Sequence, residues 1–225
     1  MTYTIDHSHQ SPNHSGRQGA PITLLVIHAT VGPYDASLAW LCNPASKVST
    51  HYLIRKDGHI AQLVPDDLAA WHAGVSAWHD LDSGEIQRQS IGIELENKNN
   101  GLDPYPPAQM TALLALSRDL VATYHIAPDM VTRHLDIAIP KGRKSDPAGF
   151  PWLAFKASLY EAAARPYRVV GLPVYQAANH TGALWGHLNP GQRVTIDDPS
   201  NGHIATVDGA PAAIGFVDIN GLETT

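Results

Sequence analysis

A continuous apolar run, Ile22-Thr-Leu-Leu-Val-Ile, closing on His28, constrains the fold of this chain more than any other feature. A stretch that apolar reads as a strand buried on both faces, so the sheet it belongs to needs a layer on each side. The spacing predicts a helix over Pro107 to His125, with Met110, Leu113, Leu114, Ser117, Leu120, Val121 and Tyr124 as its inward stripe. A second helix is expected over Trp152 to Ala164, with Leu153, Phe155 and Leu159 facing in, and a short one over Ala36 to Cys42 with Leu38 and Leu41 on one side. His51-Tyr-Leu-Ile-Arg and His59-Ile-Ala-Gln-Leu-Val flank Asp57-Gly58 as a hairpin, and Ser90 to Glu96 reads as a further strand. Strands interleaved with helices give an α/β domain with a mixed central sheet flanked by helices. Residues 1–21, rich in Ser, His, Asn, Gly and Pro, read as an irregular lead-in.

From about Arg165 the pattern changes to short strand-like pieces cut by Gly, Pro and Asn, the signature of a small all-β barrel. The boundaries read from sequence are therefore a domain at 1–165 and a barrel at 166–225. The barrel pattern, with its ending Gly215-Phe-Val-Asp, resembles a bacterial SH3-like domain, which implies a wall-binding module.

Fifteen basic against 21 acidic residues give a formal charge of −6, which argues against a nucleic-acid partner. No run approaches the ~18 apolar residues of a membrane span. The first ten residues have no basic n-region and no apolar h-region, so synthesis in the cytoplasm without an ordinary secretory signal is expected. Cys42 is the single cysteine, which excludes an intrachain disulfide and, lacking a catalytic context, is not read as a nucleophile.

Three residues far apart in sequence carry the chemistry. His28 ends the apolar strand, His134 follows the β-favouring Val131-Thr-Arg, and Asp146 lies in the turn-rich Gly142-Arg-Lys-Ser-Asp-Pro. Two imidazoles and a carboxylate are the ligand set of a catalytic zinc that keeps a fourth position open. With 13 histidines in the chain the set alone is weak, and its context gives it weight.

That context is a series of ordered segments: Thr23-Leu-Leu-Val-Ile-His, Ser49-Thr-His-Tyr-Leu-Ile-Arg-Lys-Asp-Gly-His-Ile, Ala70-Trp-His-Ala-Gly, Ser90-Ile-Gly-Ile-Glu-Leu-Glu-Asn, Arg133-His-Leu-Asp-Ile-Ala and Arg143-Lys-Ser-Asp-Pro. Together, over about residues 10–165, they resemble the zinc-dependent N-acetylmuramoyl-L-alanine amidases, the family that includes peptidoglycan recognition proteins and T7-type lysozymes. The resemblance implies one catalytic Zn2+ on His28, His134 and Asp146, Glu94 as the base and Lys144 as the cation that stabilises the oxyanion. Strand alternation puts Glu96 on the same side as Glu94, so Glu96 stays open as an alternative base. Some relatives use a tyrosine of the hairpin segment instead; Thr50 stands there, which favours Glu94. His51 and His72 lie in segments that border the family's cleft, and contact with substrate, support of a ligand or a purely structural place all remain open for them. Trp71 is read as packing.

The function implied is hydrolysis of the bond between N-acetylmuramic acid and L-alanine by a monomer acting on peptidoglycan or muropeptides. The appended barrel favours a phage endolysin or bacterial wall-lytic enzyme, which acts on the wall after release. The alternatives are a cytoplasmic amidase of anhydro-muropeptide recycling, and a recognition protein that binds without cutting.

Overall fold

The computed structural model describes residues 3–160 in full and, beyond them, the backbone of strands between 165 and 224. The chain divides into two compact units, Met1–Pro151 and Trp152–Thr225.

The first unit is built on a six-stranded mixed sheet. In chain order its strands are β1 (Ile5–Asp6), β3 (Leu24–Ala29), β4 (Tyr52–Ile54), β5 (Ile60–Gln62), β7 (Ser90–Leu95) and β8 (Val131–Arg133), arranged β1-β5-β4-β7-β3-β8. A separate antiparallel pair joins β2 (His14–Gly16) to β6 (Leu68–Ala70). The apolar run forms β3 as expected, and all six of its residues are buried. It sits between β7 and β8 and runs parallel to both, and β4 runs parallel to β7 on the far side. Four parallel strands therefore end at one edge of the sheet, the edge where α/β folds gather their ligand-binding groups.

The helices are α1 (Tyr34–Leu41), α2 (Ser83–Gln89), α3 (Pro107–Tyr124) and the single turn α4 (His134–Ile137). Leu24 and Val26 of β3 pack with Ala73, Ile86 and Ile137, which ties α2 and α4 to the sheet. Leu53 packs with Ala61, Leu63, Tyr34 and Leu41, which ties α1 to it. Leu53, Glu94 and His28 are register partners across β4, β7 and β3, and alternation puts His28 with Leu24 and Val26. Both clusters thus occupy one face, with His28 and Glu94 between them at the strand ends. Truncating Leu53, which is fully buried, should cost about 2–5 kcal/mol. Thermal unfolding of Leu53→Ala beside the parent chain checks this.

The hairpin forms where predicted. Gly58 has φ +91°, and a Cβ there would lie 2.9 Å from the Ala108 carbonyl oxygen, so both the turn and the approach of α3 require glycine. The inward stripe of α3 is Gln109, Ala112, Leu113, Leu116, Ser117 and Leu120, with Met110, Leu114, Val121 and Tyr124 at its margins. The rotation has a polar cause: Gln109 Nε2 donates to the carbonyls of Ile54 and Glu96, and this buried amide fixes the helix against the strand ends. The lead-in is less irregular than its composition suggests. It contributes β1 and β2, and buried Arg17 donates to the carbonyls of Asp66, Arg88 and Ser90. Helix α2 was not anticipated, although Asp82 and Glu85 form a full capping box at its start.

The second unit begins with α5 (Trp152–Tyr160), on which Phe155 and Leu159 are buried. Leu153 is 84% exposed, against the expectation that it faces in, because it lies two residues before Phe155 and hence on the opposite side of the helix. The strands β9 (Arg165–Val169), β10 (Leu172–Tyr175), β11 (Leu184–Leu188), β12 (Arg193–Asp198), β13 (His203–Val207), β14 (Ala210–Phe216) and β15 (Leu222–Thr224) pair antiparallel in the order β11-β10-β14-β13-β12-β9-β15. The connections and side chains that would define an SH3-like barrel lie outside the described residues. No described helix is long and apolar enough to cross a membrane.

Candidate metal centre

The parallel strand ends bring the predicted residues together. His28 is the penultimate residue of β3, Glu94 is its register partner on β7, and His134 follows directly on β8 as the first residue of α4. Asp146 arrives on the loop after α4, which is stitched back by Leu135 N donating to the Asp146 carbonyl at 2.9 Å. The α4 turn is itself held by the Arg133 guanidinium, bidentate on Asp136 at 2.7 and 3.0 Å.

His28 Nδ1, His134 Nδ1 and Asp146 Oδ2 form a triangle with edges of 2.9 Å (His28–His134), 2.9 Å (His134–Asp146) and 3.6 Å (His28–Asp146). All three residues are buried, and the group could hold a metal ion. Zinc bond lengths of ~2.0–2.1 Å in a tetrahedron imply ligand separations of ~3.3 Å, and the observed edges bracket that value. Three acceptor-capable atoms this close, in a site this dry, repel one another unless a cation or a proton lies among them. The residues present therefore fit a metal.

The charges respond to that crowding. Burial pushes the His28 imidazole down to about 4, with the His134 ring adding to the fall and Asp146 opposing it. Burial alone would raise the Asp146 carboxyl, but its contacts with the two rings outweigh it and hold the group well below the usual carboxylate range. Glu94 goes the other way: burial, reinforced by Asp146 and opposed by Lys144, raises it to about 8.

Glu94 Oε1 lies 4.0 Å from His28 Nδ1, and its Oε2 is buried with no hydrogen-bond partner. Glu96 is differently placed. Its Oε1 accepts from Tyr34 N and its Oε2 from Lys56 N, so the carboxylate clamps the start of α1 to the hairpin. Thr50 is also turned away, donating to the Gly92 carbonyl at 2.8 Å. Of the three cations in the Asp146 loop, Lys141 is tied to the Asp136 carbonyl and Arg143 to those of Ile139 and Val75. Lys144 alone of the three lines the cleft.

The two histidines left open separate clearly. His51 is fully buried beneath β7: its Nδ1 accepts from Gly92 N, its Nε2 lies 3.1 Å from the Leu68 carbonyl, and it touches no metal donor. Through these contacts it joins β7 to the β6 segment. His72 meets the cleft and contacts His28, with its Nδ1 3.0 Å from His28 Nε2. Trp71 Nε1 donates to Ser15 Oγ at 3.0 Å.

Above the donors is an open cleft of about 440 Å³. His72, Glu94, His134, Lys144 and Asp146 form its polar side, and Val31, Trp40 and Val48 contribute an apolar side. Trp40 is 56% exposed. The sequence reading overlooked it, although an aromatic on the outer side of a short helix was a visible signal. The backbone carbonyl of Ala73, 3.3 Å from His134 Nε2, could not have been found from residue types at all.

Known proteins are similar to this chain in sequence and fold. The profile of the N-acetylmuramoyl-L-alanine amidase family, Amidase_2, matches residues 18–149. The chain is 46% identical over 146 residues to the N-acetylmuramoyl-L-alanine amidase AmiD of Escherichia coli K12, covering 58% of this chain and 51% of that protein. It is 42% identical over 126 residues to the 1,6-anhydro-N-acetylmuramyl-L-alanine amidase AmpD of Salmonella typhimurium SL1344, covering 56% of this chain and 62% of that one. The matched region thus spans between about half and three fifths of the length of these two relatives. The solved E. coli AmiD complex with anhydro-N-acetylmuramic acid-L-Ala-D-γ-Glu-L-Lys superposes with a TM-score of 0.55 and 36% identity, covering 72% of this chain and 70% of that one. With the fold, the profile and the relatives in agreement, the chain belongs to the N-acetylmuramoyl-L-alanine amidase family.

Proposed function

We propose that this chain hydrolyses the amide joining the lactyl group of N-acetylmuramic acid to the L-alanine of the stem peptide, with one zinc held by His28, His134 and Asp146. One observation carries the reading: Glu94, half-buried and with one buried, partnerless carboxylate oxygen, stands beside a complete set of metal donors under an open cleft. Zinc bound there supplies Lewis acidity, which activates water and polarises the amide carbonyl. Glu94 takes the proton from the attacking water and delivers it to the alanine nitrogen as the C–N bond breaks. Burial favours the protonated form of this carboxyl, which makes it a stronger base for that exchange. Lys144, at the rim, donates to the carbonyl oxygen as negative charge develops on it. Every group needed comes from one chain, so a monomer suffices.

Lys144→Met should lower kcat by about 10²–10³-fold. It should leave zinc content unchanged, because Lys144 is not one of the donors. Steady-state kinetics with metal analysis of the same sample checks both.

For the substrate we favour soluble 1,6-anhydro-muropeptides. The support is the name of the Salmonella relative and the ligand in the E. coli AmiD complex, which outweigh the wall-lytic preference drawn from sequence. The wall-lytic reading keeps one observation on its side, the appended unit of seven described antiparallel strands, whose pattern resembles a wall-binding SH3-like domain. A purely recognising protein needs neither a complete donor set nor Glu94. Comparing kcat/KM on anhydro-muropeptides and on purified sacculi separates the two enzymatic readings. At least a tenfold preference for the soluble fragments is expected, and equal or better turnover of sacculi would restore the lytic one.

A further inference from the structure

A zinc-ligating imidazole must present a lone pair at the ligating nitrogen, so its proton must sit on the other one. In His28 the ligating nitrogen is Nδ1, and its Nε2 faces His72 Nδ1 at 3.0 Å. Which of the two rings donates there is decided two residues away. Ser90 Oγ lies 2.5 Å from the Ile86 carbonyl oxygen at the end of α2. A carbonyl cannot donate, so the single hydroxyl hydrogen of Ser90 is directed to it.

Ser90 Oγ must then accept from its other neighbour, His72 Nε2, at 2.9 Å. His72 is buried and neither of its nitrogens meets a carboxylate, so the ring is neutral and carries one N–H. With that hydrogen on Nε2, its Nδ1 accepts, and His28 Nε2–H is the donor. The lone pair of His28 Nδ1 is left facing the metal triangle.

The next residue does the same for the second ligand. The Ala73 carbonyl, 3.3 Å from His134 Nε2, is placed to accept a proton there, so that Nδ1, 2.9 Å from Asp146 Oδ2, is free to ligate once a metal takes the place of the proton between them. The ring of His72 is seated by Gly92: a Cβ at that position would lie 2.6 Å from His72 Cγ. Gly92 needs no unusual backbone angle, so its bareness makes room for the ring.

We propose that His72 is a positioning residue: the polarised chain Ile86 C=O, Ser90, His72, together with the Ala73 carbonyl, fixes the tautomer of both ligating histidines, so that adjacent residues of one loop prepare the site for its metal. The inference rests on the reading of His28, His134 and Asp146 as metal donors.

The test is nitrogen-15 NMR of the histidine rings in metal-free protein, paired with zinc affinity from chelator competition for the parent, Ser90→Ala and Ser90→Thr. In the parent, His28, His72 and His134 are each expected to carry a proton on Nε2, with one further proton shared among the His28 and His134 Nδ1 atoms and Asp146 where no metal fills the triangle. Ser90→Ala removes the acceptor that sets the direction, so His72 and His28 should show mixed tautomers and zinc affinity should fall about 10–100-fold. Ser90→Thr keeps the hydroxyl and should retain both properties. A parent His28 whose Nε2 carries no proton would overturn the proposal without any variant. So would a folded Ser90→Ala that binds zinc as tightly as the parent. A parent that binds no zinc would instead sink the metal reading on which the proposal stands.

Discussion

Replacing Glu94 by glutamine should lower kcat on an anhydro-muropeptide by about 10²–10⁴-fold, the usual worth of a general acid–base group, while zinc content stays at one per chain. Glutamine keeps the shape and can still hold a water, but it cannot take that water's proton or return one to the leaving amine. Glu96→Gln provides the control: its oxygens hold Tyr34 N and Lys56 N, so it should affect stability more than turnover.

The same substitution should have an opposite effect on the folded state. In metal-free protein the Glu94 carboxyl is raised to about 8 from an ordinary value of 4.5, chiefly by burial. A raised acid costs nothing below the unfolded value and becomes progressively destabilising as pH climbs toward the folded one. With chelator present, Glu94→Gln should therefore match the parent near pH 4 and exceed it by a few kcal/mol near pH 8. Thermal unfolding across that range checks the sign. A parent that is the more stable of the two at pH 8 would contradict the account of a desolvated carboxylate kept for chemistry.

Asp146→Ala should abolish stoichiometric zinc binding and reduce turnover by about three to four orders of magnitude, the equivalent of the several kcal/mol a metal contributes to charge stabilisation. The loop should stay in place, because the Asp146 backbone carbonyl, which accepts from Leu135 N, survives the change. Zinc should raise the melting temperature of the parent and not that of the variant, since only a ligand that binds the native state stabilises it. Metal analysis showing one tightly bound zinc in Asp146→Ala would remove Asp146 from the donor set.

Much of the first unit was legible because its signals are local and strong. The unbroken apolar run could only be a doubly covered strand, and Asp57-Gly58 between alternating segments could only be a tight turn. The meeting of His28, Glu94 and His134 was implied by the family resemblance, and the structure adds the reason, three parallel strands that end at one edge. What escaped depended on partners that residue types do not reveal. The α3 stripe was misjudged by a rotation because a glutamine, Gln109, is buried to serve two strand-end carbonyls. Helix α2 was passed over because its buried side is the single Ile86, although the Asp82–Glu85 capping box was there to be read.

Glu94 and Glu96 could not be separated by alternation, which puts both on one side. Only the two backbone N–H groups on Glu96 tell them apart. His51 and His72 looked equivalent in sequence, yet one braces two strands and the other touches a metal donor. The roles of Ser90 and the Ala73 carbonyl follow from direction of hydrogen bonding, which spacing cannot encode.

The most direct test of the central claim is hydrolysis of an anhydro-muropeptide by the zinc-loaded chain in oxygen-18 water, with mass spectrometry of both products. The account predicts one heavy oxygen in the lactyl carboxylate of the released sugar and an unlabelled stem peptide beginning at L-alanine, with no cleavage after chelation. Label in the peptide instead of the sugar, or no cleavage by zinc-replete protein, would contradict it.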